Sequence, residues 1–279
     1  MDELLILVVG EDRWPKQKGV LTFNFKTLDK SGVRASSNIL QVHDTDGNWR
    51  TVSGVIWRHQ FDESFKHEHA FLEMILLANV PCLNRAECMR QNGSRISTYA
   101  TLIRSGMPVV PSEWFLGAAG YGYFYKPAYP VVLKVGDWHM GYGKMKVPCQ
   151  EVWLDAVDMA AITHEHISIE PFVEYIREMR CLLVGNSISG TEREGSQWKT
   201  NICPKSIKDV EVPHDIEEMT RRAAKTIGAD IIGIDWLQMQ DGSWVILEAN
   251  LAPGLNYPWK DWRVETVQIL KEMMKERKS

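Results

Sequence analysis

The strongest constraint on this chain lies near its C-terminal end. An apolar run presents Asp235 (GIDWL, residues 233–237), and a turn carries Asp241 and Gly242. A second apolar run then presents Glu248, with Asn250 two residues on (VILEANLAPG, residues 245–254). Two such runs around a glycine turn are predicted to pair as adjacent strands. Side chains alternate across a strand, so Glu248 and Asn250 share one face. Pairing brings that face beside Asp235. Two carboxylates and an amide oxygen are a donor set that a hard divalent cation takes, with phosphate oxygens completing its octahedron. The competing reading is a hydrogen-bonded hairpin without metal. In that case two acids converge in an apolar setting and repel unless something neutralises them.

A chain of 279 residues can bury a large core and is expected to hold more than one lobe. Its net charge of −4 gives no electrostatic footprint for nucleic acid, so none is expected as a partner. The five cysteines are odd in number and form no C-x-x-C pair, which argues against a disulfide framework or a zinc knuckle and fits a reducing compartment. No export signal or long uncharged apolar stretch is read, so a cytoplasmic protein without membrane association is expected. His67/His69 and His164/His166 are spaced to share strand faces, but neither pair has a third ligand for zinc.

Along the chain, residues 4–9 and 54–58 read as strands and 67–77 as a helix closed by Pro81, so residues 1–80 form a small α/β domain. The remainder, 81–279, reads as a second, α+β domain. A helix is predicted over 94–105, with Gly106 at its end and Pro108 and Pro111 blocking continuation. Residues 130–135 and 145–147 read as extended around a loop over 136–144, and 152–161 as a helix. Strands are predicted at 167–173, 180–184, 231–238 and 245–249, and helices at 216–227 and 264–275. The stretch 187–201 is polar with two glycines and is expected to be a mobile loop.

The order strand, Lys134, glycine-punctuated loop, Lys144 (PVVLKVGDWHMGYGKMKV, residues 130–147) suits a polyphosphate. Glycines let backbone N–H groups approach phosphate oxygens, and a lysine leaving a strand supplies a compact positive charge. The loop is neither G-x-x-x-x-G-K-[ST] nor a G-x-G-x-x-G opening a helix, so the Walker and Rossmann readings fail. A hairpin with exposed lysines remains the plain alternative for this segment by itself.

That segment resembles the strand, glycine loop and strand of ATP-grasp proteins, most closely of synapsins. Three further segments carry the likeness: IEPFV followed by MRCLLVG (residues 169–173 and 179–185), QWKTN (197–201), and EANLAPGL (248–255). The last is similar to the E-x-N-x-x-P-G-L of glutamate ligases of the RimK type. The resemblance runs from about residue 84 to 255, and its ordered set of motifs is more specific than any single piece.

It implies an ATP-grasp fold: two α+β lobes clasping ATP, with a lid lobe over roughly 112–175, preceded by the small α/β domain. It implies that Lys134 meets the α- and β-phosphates, that Gly141 and Gly143 form the lid beside Lys144, and that Glu170, Phe172 and Val173 form the adenine hinge. Glu178 falls near the ribose, and Lys199 and Asn201 near the γ-phosphate. Asp235, Glu248 and Asn250 match ligands of one or two Mg²⁺ ions, with Mn²⁺ able to substitute. Arg180 and Arg193 sit where basic side chains meet an acyl phosphate, and Lys199 joins them as a catalytic candidate. Arg58, at the exit of a first-lobe strand, could bind a substrate carboxylate or be a surface arginine. The family lysine at the start of the 94–105 helix is Arg95 here, which keeps the charge but is not a drop-in replacement.

The implied activity is an ATP- and Mg²⁺-dependent carboxylate–amine ligase joining an amino acid or peptide through an acyl phosphate. Its partners are small-molecule or peptide carboxylates and amines, with a homodimer or homotetramer left open. A synapsin-like ATP-binding regulator without turnover and a phosphotransferase are the alternatives. Synapsins lack the full E-x-N, whereas this chain keeps Asp235, Glu248 and Asn250 together, which favours chemistry.

Overall fold

The computed structural model describes residues 4–11, 13–25, 32–44, 46–59, 65–117, 125–138, 141–195, 198–199 and 204–277. The first sheet is parallel, in the order β2 (Val20–Phe23), β1 (Ile6–Val9), β6 (Gly54–Trp57) and β7 (Cys82–Leu83). Strand β1 is apolar and buried along its length, as a strand covered on both faces must be. Alternation sends Leu7 and Val9 toward α1 (Phe65–Leu77), where Phe71, Leu72 and Ile75 share their core. Ile6 and Val8 point the other way, into a core with Val267, Leu270 and Met274 of the C-terminal helix (Arg263–Glu276). That helix approaches closely because residue 54 is glycine: a Cβ there would lie 2.9 Å from the Met274 sulfur.

A three-stranded antiparallel meander, β3 (Val33–Ser36), β4 (Ile39–His43) and β5 (Trp49–Thr51), joins the first core through Leu40 and Val42. Helices α2 (Ala86–Asn92) and α3 (Arg95–Arg104) follow, and Ser94 caps α3 by accepting from the Ser97 N–H at 3.3 Å.

The lid sheet runs β10 (Lys144–Val147), β9 (Val131–Val135), β11 (Ile167–Pro171), β8 (Glu113–Phe115). It has its own core, in which Val131, Leu133, Ile167 and Ile169 pack on Trp153 and Val157 of α4 (Gln150–Ala161). The same alternation turns Val132, Lys134, Ser168 and Glu170 to the opposite face.

A five-stranded antiparallel sheet completes the fold, in the order β14 (Pro204–Val210), β13 (Ser187–Gly195), β12 (Arg177–Val184), β15 (Ile231–Gln238), β16 (Trp244–Asn250). Its inner face shares the first core with α5 (His214–Ile227), where Trp236 donates to the Thr220 hydroxyl at 3.1 Å. The C-terminal helix is α6.

The loop expected over 187–201 is corrected over 187–195: this stretch is strand β13, paired on both sides. Its polar residues mislead because backbone pairing with β12 and β14 carries the segment, while Gly190 and Thr191 supply a small buried middle. Gly190 has no room for more, since a Cβ would lie 2.6 Å from the Val210 carbonyl.

Asn84 locks the first sheet to the last. Its amide nitrogen donates to the carbonyls of Ile231 (2.6 Å) and Leu251 (2.9 Å), and its oxygen accepts from the N–H groups of Asp230 (2.8 Å) and Ile231 (2.7 Å). Asn84→Ala removes a partner from four backbone groups and should cost about 3 kcal/mol or more of unfolding free energy. Urea unfolding checks this, and a loss below about 1 kcal/mol would deny Asn84 that role.

Candidate functional site

Lid sheet and five-stranded sheet face each other across a cleft. Strands β15 and β16 pair antiparallel around a turn in which the Gly242 N–H donates to the Met239 carbonyl at 2.9 Å. Asp235 lies directly opposite Glu248, and Asn250 opposite Gly233. The register then slips, because Trp236 opposes Ile246, so Leu247 is an extra residue in β16. The bulge lets Leu247 and Glu248 both line the cleft, which strict alternation forbids.

The two opposed carboxylates are neutralised from two directions. Arg180 of β12 is the cross-strand partner of Asp235 and holds it with Nε 2.7 Å from Oδ1 and Nη2 3.0 Å from Oδ2. The Nε contact is an ion pair without hydrogen-bond direction, which leaves Asp235 Oδ1 buried with no directed donor. Lys144 of the lid reaches over the cleft to Glu248 at 2.8 Å, with Arg95 3.9 Å away. Burial would raise the Glu248 carboxyl, but Lys144, Arg95 and Lys134 together hold it well below the ordinary range.

Lys134 and Lys144 are themselves cross-strand neighbours. Like charges so placed are tolerable only if drawn apart. Lys134 turns to Glu170, 2.5 Å away and deeply buried, while Lys144 leaves for Glu248. Burial pushes the Lys134 ammonium below its ordinary value, and Glu170 opposes that push. Ser112 also donates to Glu170, at 3.1 Å. Gly143 lets the loop turn here: its φ is +64° and a Cβ would lie 2.9 Å from the Val135 carbonyl. Lys199 donates to the Gly141 carbonyl at 3.0 Å, and burial followed by the nearby Lys144 lowers its ammonium.

Phe172, Val173 and Glu178 line the far end of the cleft. The Phe172 N–H donates to the Pro130 carbonyl at 2.9 Å, and Lys146 lies 3.4 Å over its ring. Glu178 accepts from the Tyr175 hydroxyl at 3.1 Å. The void between the sheets is about 90 Å³, below the roughly 300 Å³ at which ligand pockets begin.

The structure therefore gathers Lys134, Gly141, Lys144, Glu170, Phe172, Val173, Glu178, Lys199, Asp235 and Glu248 around one cleft. Asn250 and Arg95 line an adjoining recess with Glu248, and the Asn250 side-chain oxygen accepts from the Ala252 N–H at 2.8 Å. Arg180 flanks the cleft through Asp235. Arg193 follows Thr191, the cross-strand partner of Arg180, by two residues, and is outside the cleft lining. Asn201 lies outside the described residues. Arg58 is not a surface arginine: it is buried, 3.0 Å from Glu11, and donates to the Pro253 carbonyl beyond Asn250. Its Nη1 has no partner among the described residues.

Sequence reasoning missed Ser112, Tyr175 and Leu237. Leu237 follows Asp235 by two along β15, so period-two continuation is the signal that finds it, whereas Tyr175 lies in the irregular segment between β11 and β12, where alternation gives no direction. Ser112 carries no such signal. Among the described residues no three His, Cys, Asp or Glu side chains form a metal cage. A site of two carboxylates, an amide and phosphate oxygens is of another kind.

A family model described as synapsin, ATP binding domain, matches residues 91–273. The glutamate–LysW ligase ArgX of Sulfolobus acidocaldarius is 24% identical over 191 residues, covering 63% of this chain and 66% of that protein, just under two thirds of its length. Among solved structures, D-alanyl-alanine synthetase A from Vibrio cholerae superposes with a TM-score of 0.72 at 14% identity, covering 98% of this chain and 99% of that one. A RiPP-associated ATP-grasp ligase from Chryseobacterium gregarium, in complex with ADP and a leader and core peptide, gives 0.65 at 13% identity, covering 97% of each chain. The fold is that of the ATP-grasp proteins.

The folded Glu248 value lies below the unfolded one, so its ion pairs contribute stability present above the ordinary carboxylate value of 4.5 and lost as pH falls through the depressed folded value. Glu248→Gln should flatten the decline of the denaturation midpoint below that pH. An acid limb unchanged in the variant would mean that Glu248 is not held by Lys144 and Arg95 in solution.

Proposed function

Because the chain belongs to the synapsin ATP-binding domain family, we propose that it is an ATP- and Mg²⁺-dependent carboxylate–amine ligase. The observation that carries this reading is the opposition of Asp235 and Glu248, with Asn250 on the same strand, facing Lys134 across a cleft. A platform for nucleotide binding alone does not require a buried acid and a half-buried one held against each other. Relatives named as glutamate ligases support an amino acid or peptide as substrate.

Glu170, Phe172 and Val173 would hold the base, and Glu178 the ribose. Lys134, Lys144 and Lys199, with Asn201 and the amides of Gly141 and Gly143, would hold the phosphates. Lid opening frees Lys144 from Glu248 and Lys199 from the Gly141 carbonyl, so the cations that close the cleft become phosphate ligands. Asp235, Glu248 and Asn250 would then hold one or two Mg²⁺ ions. The fit rests on the Asp235 oxygen that lacks a directed donor and on the cationic heads that both carboxylates already attract. A metal held by these three residues would supply neutralisation of the polyphosphate charge.

The substrate carboxylate oxygen attacks the γ-phosphorus, the bond to the β-phosphate oxygen breaks, and ADP leaves. Arg180 would stabilise the negative charge on the transferring phosphoryl group, and Arg193, outside the cleft lining but two residues along β13 from Arg180's partner Thr191, would have to swing in to join it. The amine nitrogen then attacks the acyl carbon, phosphate departs, and the amine loses a proton as the amide forms. The closed lid excludes water from the acyl phosphate. Arg58, whose Nη1 has no partner among the described residues, would hold a substrate carboxylate at the C-terminal end of β6. Residues 1–80 are proposed as the substrate-facing domain and 81–279 as the catalytic one. The free thiols of Cys82, Cys88, Cys149 and Cys181 fit a reducing compartment, the cytoplasm. Among the described residues no helix is long and apolar enough to cross a membrane.

Pools of amino acids and short peptides, offered with ATP and Mg²⁺, test the reading through ADP and free phosphate. Both should appear only when a carboxylate and an amine are present together. Tight ATP binding with no turnover in any pool would point to a regulator, and ADP without free phosphate to a phosphotransferase. Glu248→Ala should lower turnover by roughly a hundredfold or more while unfolding stays cooperative. Lys134→Ala should weaken ATP binding at least about tenfold in calorimetry, and an unaltered dissociation constant would remove Lys134 from the phosphate site.

A further inference from the structure

A second cavity, of about 610 Å³, lies away from the nucleotide cleft and shares no lining residue with it. Its lining is mixed, and the apolar part, its floor, comprises Ile75, Val80, Cys82, Cys88, Ile227 and Met273. The cavity is wide enough for a small molecule.

Its helix ends are mostly negative: α2 begins here at Ala86, against three helices that end here. Helices α1, α5 and α6 all end at this cavity: Ile75 and Leu76 belong to the last turn of α1, Ile227 ends α5, and Met273 and Glu276 close α6. Each C-terminus carries about half a negative elementary charge. Glu87 and Glu276 add carboxylates at the rim, and Glu87 forms no ion pair among those the described residues make. The two rim cations are already engaged. Arg85 lies 3.3 Å from Asp230, and Arg277 donates to the backbone and side-chain oxygens of Asn79, at 2.8 and 3.1 Å, at the end of α1. The floor thiols feel the same field: burial and then Glu87 push Cys82 up, while burial and then Asp230 push Cys88 up to about 12.

We infer that this cavity binds a small organic cation with an apolar body, an alkylammonium or alkylguanidinium. The floor takes the hydrocarbon, and the three helix ends with Glu87 take the charged head. An anion of the same length meets carboxylates and helix carbonyl ends and is rejected. A neutral body gains the floor alone.

Three probes of one length separate these cases: n-hexylamine, 1-hexanol and hexanoate. They are titrated into the full chain carrying ¹³C-methyl methionine and isoleucine. n-Hexylamine should shift the methyls of Met273, Ile75 and Ile227 saturably, with a dissociation constant of about 1 mM or tighter and at least about tenfold below that of hexanoate. Glu87 is exposed in the first turn of α2, so Glu87→Lys should fold normally and weaken the amine by about tenfold. Gln91→Trp, at the exposed rim, should block the shifts outright. Equal response to amine and hexanoate, shifts that survive both substitutions, or still methyls up to about 10 mM amine would each overturn the inference.

Discussion

Two carboxylates facing each other across one strand pair set the terms for the rest of the molecule. Asp235 and Glu248 cannot both stay ionised at that separation without cations, and the chain supplies these from two separate sheets. Arg180 comes from the neighbouring strand, so the Asp235 pair is settled within the five-stranded sheet. Lys144 comes from the lid, so the Glu248 pair fastens one sheet to another. An exposed ion pair contributes little, whereas breaking a buried one costs several kcal/mol because a charge is left without a partner. The lid is therefore held by a half-buried contact, and in the proposed function a phosphate would take the lysine and a divalent cation the carboxylate, so that neither charge is stranded.

The same logic explains why the lid sheet carries a buried lysine. Lys134 and Lys144 share a register position, and their repulsion is relieved by sending one ammonium to Glu170 and the other across the cleft. Two basic residues thus reach different depths. Lys134 stays on the cleft floor under a carboxylate that also accepts from Ser112, and Lys144 opens β10 at the end of the glycine loop. In the proposed function a nucleotide would meet both charges, one on the cleft floor and one beside the glycine loop.

Much of this was legible in the sequence because it lies in strongly patterned segments. The hairpin of 231–250, the strand–glycine–strand of 130–147 and the long helices announce themselves by period and by turn residues, and the structure keeps them. Segments whose structure depends on partners were not legible. Strand β13 is polar and owes its extended form to β12 and β14, and the meander of 33–51 is fixed by Leu40 and Val42 reaching a core built elsewhere. Helix α2 has seven residues, too few for a periodic signal. The bulge at Leu247 was hidden for another reason: spacing gives side-chain direction only while the ladder is regular.

Arg95 shows how a departure from a family pattern acquires a physical reason. A lysine at the start of α3 would offer one compact ammonium. The guanidinium donates instead to two backbone carbonyls, Gly136 and Trp138, each at 2.6 Å, while the Arg95 N–H bonds Asp137 at 2.7 Å. A planar fork can span two carbonyls in fixed directions, and a lysine head cannot hold both in that geometry. Arginine here staples the first turn of the glycine loop to the helix. Its charge still lies 3.9 Å from Glu248 and so remains part of the neutralisation on which the cleft depends. The substitution joins two tasks, and the one that needs arginine is the fastening of the loop.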